Sequence, residues 1–128
     1  MSSMSKFYTR QKANDGIKIP LSLPSGEETE DYLVVRGIDS DQFRNADARA
    51  RRQALVISEI DNMEEKTELI RESQLDIIAS LVAGWSFEEE CTQEKVKELL
   101  REAPQISDAI DRIAAKRLLF FAKGSSNL

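Results

Sequence analysis

Residues 17–38, with the sequence IKIPLSLPSGEETEDYLVVRGI, decide the fold class of this chain. Apolar and polar residues alternate from Ile17 to Leu23, a second β-prone run extends from Tyr32 to Ile38, and Pro24-Ser25-Gly26 between them is a turn signal. The pattern predicts a β-hairpin over residues 16–38. Because Pro20 cannot donate a ladder hydrogen bond, we expect the first strand to lie at a sheet edge.

The segments on either side of the hairpin differ in character. Residues 1–11 are mostly polar and are expected to be flexible. Residues 40–122 are expected to form a helical body, since a two-stranded ribbon is marginal in water and must pack on helices or pair with another chain. We expect the hairpin at the periphery of this body.

The first half of the body predicts two amphipathic helices. Ser40 is a suitable N-cap for the first, whose apolar face recurs at spacings of three and four residues: Phe43, Ala46, Ala50, Ala54 and Ile57. The second is expected from about Glu64 to Ala83, with Gly84 as its stop. Asp61-Asn62 can separate the two helices, but neither residue forbids continuation, so one long helix over residues 40–84 is the alternative.

The second half predicts two further helices. Thr92 is a suitable N-cap for a third helix that ends near Glu102, and Pro104 is a suitable first residue for a fourth. Lys123-Gly124 is expected to close the fourth helix, with residues 123–128 as a polar tail. The predicted fold is therefore α+β, mainly α: a hairpin followed by about four helices that form one core in a single domain, residues 1–128.

Composition excludes several functional classes. The chain has 128 residues, no histidine, one cysteine and a formal charge of −5. Without histidine there is no imidazole base, no Ser-His or Cys-His nucleophile pair and no histidine-bearing zinc site, so we expect no enzyme and no cofactor. The single cysteine, the absence of an apolar leader and the lack of a membrane-spanning apolar run favour a cytoplasmic protein.

Two local features have ordinary explanations. Glu88-Glu89-Glu90 is the densest acidic cluster, but successive carboxylates point in different directions, so a solvated connector is favoured over a metal site. Cys91 has no basic neighbour before Lys95, so a structural thiol is favoured over a nucleophile.

Charge also bears on nucleic-acid binding. The third and fourth helices resemble a helix-turn-helix in order, but the acidic chain argues against a DNA reader. Four arginines on the first helix either meet an acidic partner or, more commonly, form a solvated face: Arg44, Arg49, Arg51 and Arg52.

Apolar residues at two helix ends are candidate contacts. If the fourth helix continues through Leu118 and Phe121, then Leu119 and Phe120 lie off its core stripe, and the last turn is apolar nearly all round. Either another element of this chain covers that turn or a second subunit or client does. Trp85 and Phe87 raise the same question. The candidate partner-binding or oligomer residues are Trp85, Phe87, Leu119, Phe120 and Phe121.

One stretch of the body resembles a known family. The pattern comprises LVAGWSF at residues 81–87 and, after it, Thr92, Val96, Leu99-Leu100, Pro104, Ile106 and Ile110. It resembles the tail assembly chaperones of long-tailed, non-contractile bacteriophages, over residues 75–122. The motif is structural and contains nothing catalytic.

The resemblance implies a protein of the host cytoplasm that is absent from the mature virion. It implies binding of the tape measure protein, which stays soluble while tail tube subunits polymerise around it. It also implies a frameshifted longer form that contacts the tail tube protein. Separately, the edge strand and the apolar helix end predict a homo-oligomer, and charge and the short apolar runs predict no nucleic-acid or membrane partner. The alternatives are a small helical DNA-binding or regulatory adaptor, or a structural phage tail component.

Overall fold

The computed structural model describes residues 3–121 and has an α+β architecture that is mostly helical. Its strands are β1 (Ile17–Ser22), β2 (Glu28–Val35) and β3 (Val82–Trp85). Its α-helices are α1 (Arg10–Asp15), α2 (Asp41–Ile57), α3 (Met63–Ala79), α4 (Gln93–Glu102) and α5 (Pro104–Ala114). Two 3-10 helices lie at Met4–Phe7 and Arg117–Phe120. The predicted fold class is confirmed, while α1 and β3 were not predicted.

The sheet has the order β1-β2-β3, and both pairs are antiparallel. The hairpin is confirmed, and Pro20 lies on an edge strand as expected. The expectation of a peripheral hairpin is wrong for β2, since Leu33 and Val35 are fully buried. Pairing on both edges places β2 at the centre of the sheet, where its side chains enter the core.

A close backbone approach sets the start of β1. Gly16 has a φ of 75°, and a Cβ built on it would lie 2.9 Å from the Val35 carbonyl oxygen. Only glycine adopts a positive φ readily and lacks the Cβ that would collide with this carbonyl oxygen. Gly16 therefore lets the chain leave α1 and pair with β2.

The end of α3 differs from the sequence prediction. We expected a helix through Ala83 with Gly84 as its stop, but α3 ends at Ala79 and the chain becomes β3. The Arg36 amide donates to the Leu81 carbonyl, 2.6 Å away, and Gly84 pairs with Val34 of β2. Sheet pairing therefore replaces the last helical turn, because it satisfies the backbone groups of the central strand.

Side-chain caps define the starts of α2, α3 and α4. Ser40 Oγ accepts from the Phe43 amide, 3.3 Å away, and Thr92 Oγ1 accepts from the Lys95 amide, 3.2 Å away, as the sequence predicted. Asn62 Oδ1 accepts from the Glu65 amide, 2.9 Å away. Because Asn62 caps α3, residues 40–84 contain two helices and the single long helix is excluded. Pro104 opens α5 as predicted.

The fourth predicted helix is shorter than expected. α5 ends at Ala114, and residues 117–120 form a 3-10 helix. The sequence placed Leu118 on the core face of the helix and Phe120 off it. The 3-10 geometry reverses these positions, since Phe120 is 4% exposed and Leu118 is 85% exposed. The predicted Lys123-Gly124 stop and the tail at residues 123–128 lie outside the described residues.

The core lies between the sheet and the helical layer. Its buried side chains come from β2 and β3, from the turn between α3 and β3, and from α3, α4 and α5: Leu33, Val35, Ala79, Leu81, Val82, Val96, Leu100, Ile110 and Ala114. α4 is also fastened to α3 by charge, since Lys97 Nζ lies 2.9 Å from Asp76 Oδ1. This hydrogen bond is the main reason that the pKa of Lys97 is raised.

Candidate interaction surfaces

The first surface is a cleft beside Trp85 and Phe87. Trp85 ends the edge strand β3, and its ring lies 5.1 Å from that of Phe87, tilted by 56°. Trp85 Nε1 donates to the Glu89 carbonyl oxygen, 2.8 Å away, which fixes the indole. Both aromatic side chains are half-buried, and they line an open cleft of about 280 Å³.

The wall of this cleft combines apolar and charged groups. Leu99 lies among Glu89, Lys95, Glu98 and Glu102 along the cleft. An apolar floor with a mainly acidic rim suits an apolar side chain carried by a basic or neutral segment. The cleft therefore presents an apolar floor within a mainly acidic rim.

The second surface surrounds the 3-10 helix at residues 117–120. Leu118 and Phe121 are exposed, Leu119 is half-buried and Phe120 is buried. A Cβ built on Gly37 would lie 3.4 Å from Phe120 Cζ, so the ring packs directly on that glycine. Of the two possibilities left open by the sequence, cover by the same chain therefore holds for the candidate Phe120, whereas the candidate Phe121 is exposed.

An ion pair positions this 3-10 helix. Arg117 Nε donates to Asp39 Oδ2, 2.7 Å away, and its second nitrogen donates to Asp39 Oδ1, 2.9 Å away. Arg44 of α2 approaches the same carboxylate at 3.4 Å. These contacts, led by the Arg117 hydrogen bonds, lower the pKa of Asp39 from 3.8 to about 2. The carboxylate thus joins the segment before α2 to the C-terminal 3-10 helix.

The third surface is formed by residues 51–71, which we call the arm. The arm consists of the last turns of α2, the connection to α3 and the first turns of α3, and none of its residues is buried. Its large exposed apolar side chains are Leu55, Val56, Met63, Leu69 and Ile70. A groove of about 310 Å³ lies between the two helices; its apolar lining residues are Ala50, Ala54, Ile57 and Ile70, and Ser58, Lys66, Ser73 and Gln74 complete it.

Sequence reasoning did not identify the arm. The consecutive apolar residues Leu55, Val56 and Ile57 were the available signal, since residues about 100° apart on a helix cannot all face one core. Leu55 is 74% exposed and Val56 is 68% exposed, which is unusual for adjacent residues of this size.

The polar groups near the end of α3 have structural roles. One terminal nitrogen of Arg36 donates to the carbonyl oxygens of Ser80 and Val82, at 3.1 Å and 3.2 Å, and so joins α3 to β3. Burial lowers the pKa of Arg36 and raises the pKa of the half-buried Cys91 thiol. A raised pKa disfavours the thiolate, so Cys91 has the character of a structural thiol.

Two further properties concern the described part of the chain. Glu88, Glu89 and Glu90 are exposed, and residues 3–121 contain no cluster of three or more potential ligands arranged to hold a metal ion. Within the same residues, no helix combines the length and apolar character needed to cross a membrane.

The fold leaves three apolar surfaces exposed, which is typical of a protein that binds other proteins. The chain belongs to the phage tail assembly chaperone family, whose model matches residues 3–116. The family predicted from residues 75–122 is thereby confirmed over nearly the whole chain. It is a family of assembly chaperones, so the chain is not an enzyme. No curated protein and no solved structure matches the chain.

Proposed function

We propose that this chain binds the tape measure protein in the host cytoplasm and keeps it soluble while tail tube subunits polymerise around it. The observation that carries the proposal is the cleft at Trp85 and Phe87, which exposes aromatic surface in a rigid setting. A tape measure protein is long and apolar, and its side chains need transient cover before the tube encloses it. The chaperone then leaves the particle and is absent from the mature virion.

The client surface in this proposal combines four residues from two places. Trp85 and Phe87 bind apolar client side chains in the cleft, while Leu119 and Phe121 add the exposed edge of the 3-10 helix. Phe120 supports that edge from within the fold. The acidic rim of the cleft and the net charge of −5 keep the complex soluble.

A longer form of the chain has a separate role in the proposal. A fraction of ribosomes shifts frame near the end of the gene and appends a second domain. The short form binds itself and the tape measure protein, and the longer form links that client to the tail tube protein.

Co-expression with the tape measure protein of the same phage tests client binding. The wild-type chain is expected to move the client from the pellet to the soluble fraction and to co-purify with it. Phe121→Ser is expected to reduce the co-purified client without loss of structure, because Phe121 is already 48% exposed. Phe87→Ala is expected to reduce it further.

Matched controls separate binding from folding. Leu23→Ser changes an apolar residue of similar exposure next to the hairpin turn, and it is expected to leave client recovery unchanged. Circular dichroism establishes whether Phe87→Ala is still folded, and Phe121→Ser serves as the test if it is not. A client that remains insoluble with the wild-type chain, or equal recovery with Phe121→Ser and Leu23→Ser, contradicts the proposal.

A further inference from the structure

A polar pocket of about 350 Å³ lies where α2, the start of β3 and the start of α4 meet. Two arginines and three side chains with carboxamides line it: Arg36, Arg49, Gln42, Asn45 and Gln93. None of the described aspartates and glutamates lines this pocket. The pocket is therefore locally basic in a chain whose net charge is −5.

The Arg36 guanidinium is anchored but keeps one edge unused. Its Nη1 donates to the carbonyl oxygens of Ser80 and Val82, at 3.1 Å and 3.2 Å. Nε is closed to solvent and has no hydrogen-bond partner among residues 3–121, and Nη2 has no partner there either. A guanidinium binds a carboxylate best through two parallel N–H groups, and Nε with Nη2 forms such an edge. A carboxylate at this edge would satisfy donors that the fold leaves unpaired.

No carboxylate offsets the charge of the two arginines. Within the described part of the chain, neither Arg36 nor Arg49 forms an ion pair. Burial lowers the pKa of Arg36, and the titratable group that acts against this effect is the Cys91 thiol rather than a carboxylate. Because Arg36 is partly withdrawn from water, its attraction to an anion is stronger than that of a fully solvated arginine.

One face of α2 carries the basic surface out of the pocket. Gln42, Asn45 and Arg49 are spaced by three and four residues, so they lie on the same side of the helix. Arg52 continues this stripe, is exposed and forms no ion pair with residues 3–121. A stripe that extends beyond the pocket favours a ligand with several negative charges over a single small anion.

The start of α4 adds a further positive element. Cys91, Thr92 and Gln93 line the pocket at the N-terminus of this helix, where the helix dipole is positive. Gln93 Nε2 lies 3.4 Å from Asp76 Oδ1, so a carboxylate approaches the pocket lining there. Lys97 Nζ lies 2.9 Å from the same oxygen and balances its charge. Asp76 therefore does not act as the counterion of the arginines.

We infer that this pocket binds an acidic peptide segment of a partner protein. One carboxylate of the segment pairs with Nη2 of Arg36 inside the pocket, and a second pairs with the exposed Arg49. Nε has no accessible surface in the free chain, so the carboxylate reaches it only when the surrounding side chains shift. The stripe through Arg52 accommodates further acidic residues of the segment.

The carboxamides favour a peptide over a phosphate. The side chains of Gln42, Asn45 and Gln93 each offer both a donor and an acceptor, and a peptide backbone has the same two groups. A phosphate dianion has only acceptors, so it would leave the carboxamide oxygens unpaired. The site goes beyond the proposed function, since the acidic rim of the cleft at Trp85 repels the same segment.

An NMR titration of the isotopically labelled full chain with acetylated tetraglutamate tests the inference. The backbone amides of residues 91–93 and the Nε–H signal of Arg36 are expected to shift as the peptide is added, and added salt is expected to reverse the shifts. Acetylated tetraglutamine is the control ligand and is expected to shift none of them. The absence of shifts at these positions, or equal shifts with both peptides, overturns the inference.

Substitutions at Arg49 separate pocket binding from general electrostatic attraction. Arg49 is exposed, so its replacement should preserve the fold. Arg49→Gln is expected to weaken tetraglutamate binding by about threefold, and Arg49→Glu by about tenfold. Arg112 on α5 is the matched control, because it is exposed, lies outside the pocket and forms no ion pair with the described residues. Equal weakening by Arg49→Glu and Arg112→Glu contradicts the assigned site.

A conservative change at Arg36 tests the role of the guanidinium edge. Arg36→Lys retains the charge but removes the paired N–H groups, so it is expected to weaken tetraglutamate binding by about tenfold. Circular dichroism verifies its fold, and the Arg49 variants decide the question if Arg36→Lys does not fold. Binding as strong as that of the wild type by a folded Arg36→Lys chain contradicts the role of this edge.

Competition identifies the class of ligand. Inorganic phosphate and a short DNA oligonucleotide are added to the tetraglutamate complex, and both are expected to displace the peptide only at concentrations well above its Kd. Displacement by either at a lower concentration shows that the pocket is not a peptide site. Client recovery with Phe121→Ser is measured at a residue outside this pocket. Failure of the client proposal and failure of the pocket inference are therefore distinguishable.

Discussion

The Asp39 carboxylate accepts two hydrogen bonds from the Arg117 guanidinium, at 2.7 Å and 2.9 Å, across 78 positions of the sequence. Asp39 precedes α2 and Arg117 begins the 3-10 helix at residues 117–120, so this pair ties the end of the described chain to the segment between β2 and α2. Beside the pair, a space of about 10 Å³ is all that remains between Thr9, Gly37 and Phe120. The ion pair therefore fastens a closely packed junction.

Stability is expected to fall at acid pH through Asp39. Its pKa is lowered from 3.8 to about 2 in the folded chain, chiefly by the Arg117 hydrogen bonds, so the unfolded chain binds the proton first. The stabilisation is complete at pH values above the pKa of Asp39 in the unfolded chain. It is lost as the pH falls through the pKa of Asp39 in the folded chain. Urea unfolding at several pH values should show that the free energy of unfolding falls less at acid pH for Asp39→Asn than for the wild type.

A second carboxylate provides the control for that measurement. Asp61→Asn removes a carboxylate from the exposed connection between α2 and α3 and should retain the wild-type pH profile. Identical profiles for Asp39→Asn and the wild type would contradict the assigned role of Asp39.

The neighbouring side chains of the 3-10 helix should respond differently to truncation. Phe120→Ala removes a buried ring and is expected to cost about 3 to 5 kcal/mol in the free energy of unfolding. Leu118→Ala removes an exposed side chain and should change it by less than about 0.5 kcal/mol. Denaturant unfolding of both variants measures the difference, and a larger loss for Leu118→Ala would show that α5 continues as a regular helix.

Two glycines provide a paired test of the backbone geometry. Gly16→Ala is expected to destabilise by about 1 kcal/mol or more, because φ is positive and the new Cβ meets the Val35 carbonyl at 2.9 Å. Gly84→Ala should be close to neutral, since no atom lies within 4 Å of its Cβ position. Thermal unfolding compares the two, and equal effects would contradict the close approach at Gly16.

The proposed longer form requires a slippery codon run near the end of the gene. Ala122-Lys123-Gly124 permits such a run with AAG for lysine, and Leu119-Phe120-Phe121 permits one with runs of U. The first of these stretches lies outside the described residues. Expression from the native gene should give two bands that share this chain at their N-terminus. A single band, together with codons that cannot slip, would exclude the longer form.

Local sequence signals were sufficient to predict whether most segments form a helix or a strand. The alternation of apolar and polar residues before Leu23 predicted the β-hairpin, and Pro20 predicted that the first strand lies at a sheet edge. Three helix starts were predicted from Ser40, Thr92 and Pro104. These signals are reliable because each depends on atoms within a few residues: a missing amide hydrogen, a cap hydroxyl or an alternating side-chain direction. Residues 75–122 also carried the family resemblance.

Contacts distant in sequence decided the rest. Leu81 to Trp85 have a helical apolar pattern, but the free edge of β2 pairs with them and draws the segment into the sheet. Phe120 is buried rather than exposed because Gly37, 83 positions earlier, leaves room for its ring. Neither partner is visible from local periodicity.

For the candidate surfaces, too, the sequence decided one property and the tertiary structure decided another. The sequence by itself determined which side chains are apolar, so Trp85, Phe87 and Phe121 were identified as candidates. The tertiary structure alone decided which of them are accessible and placed the arm beyond the packed body, because exposure depends on what the rest of the chain covers. An apolar helix face has the same sequence pattern whether a neighbouring element buries it or leaves it for a partner.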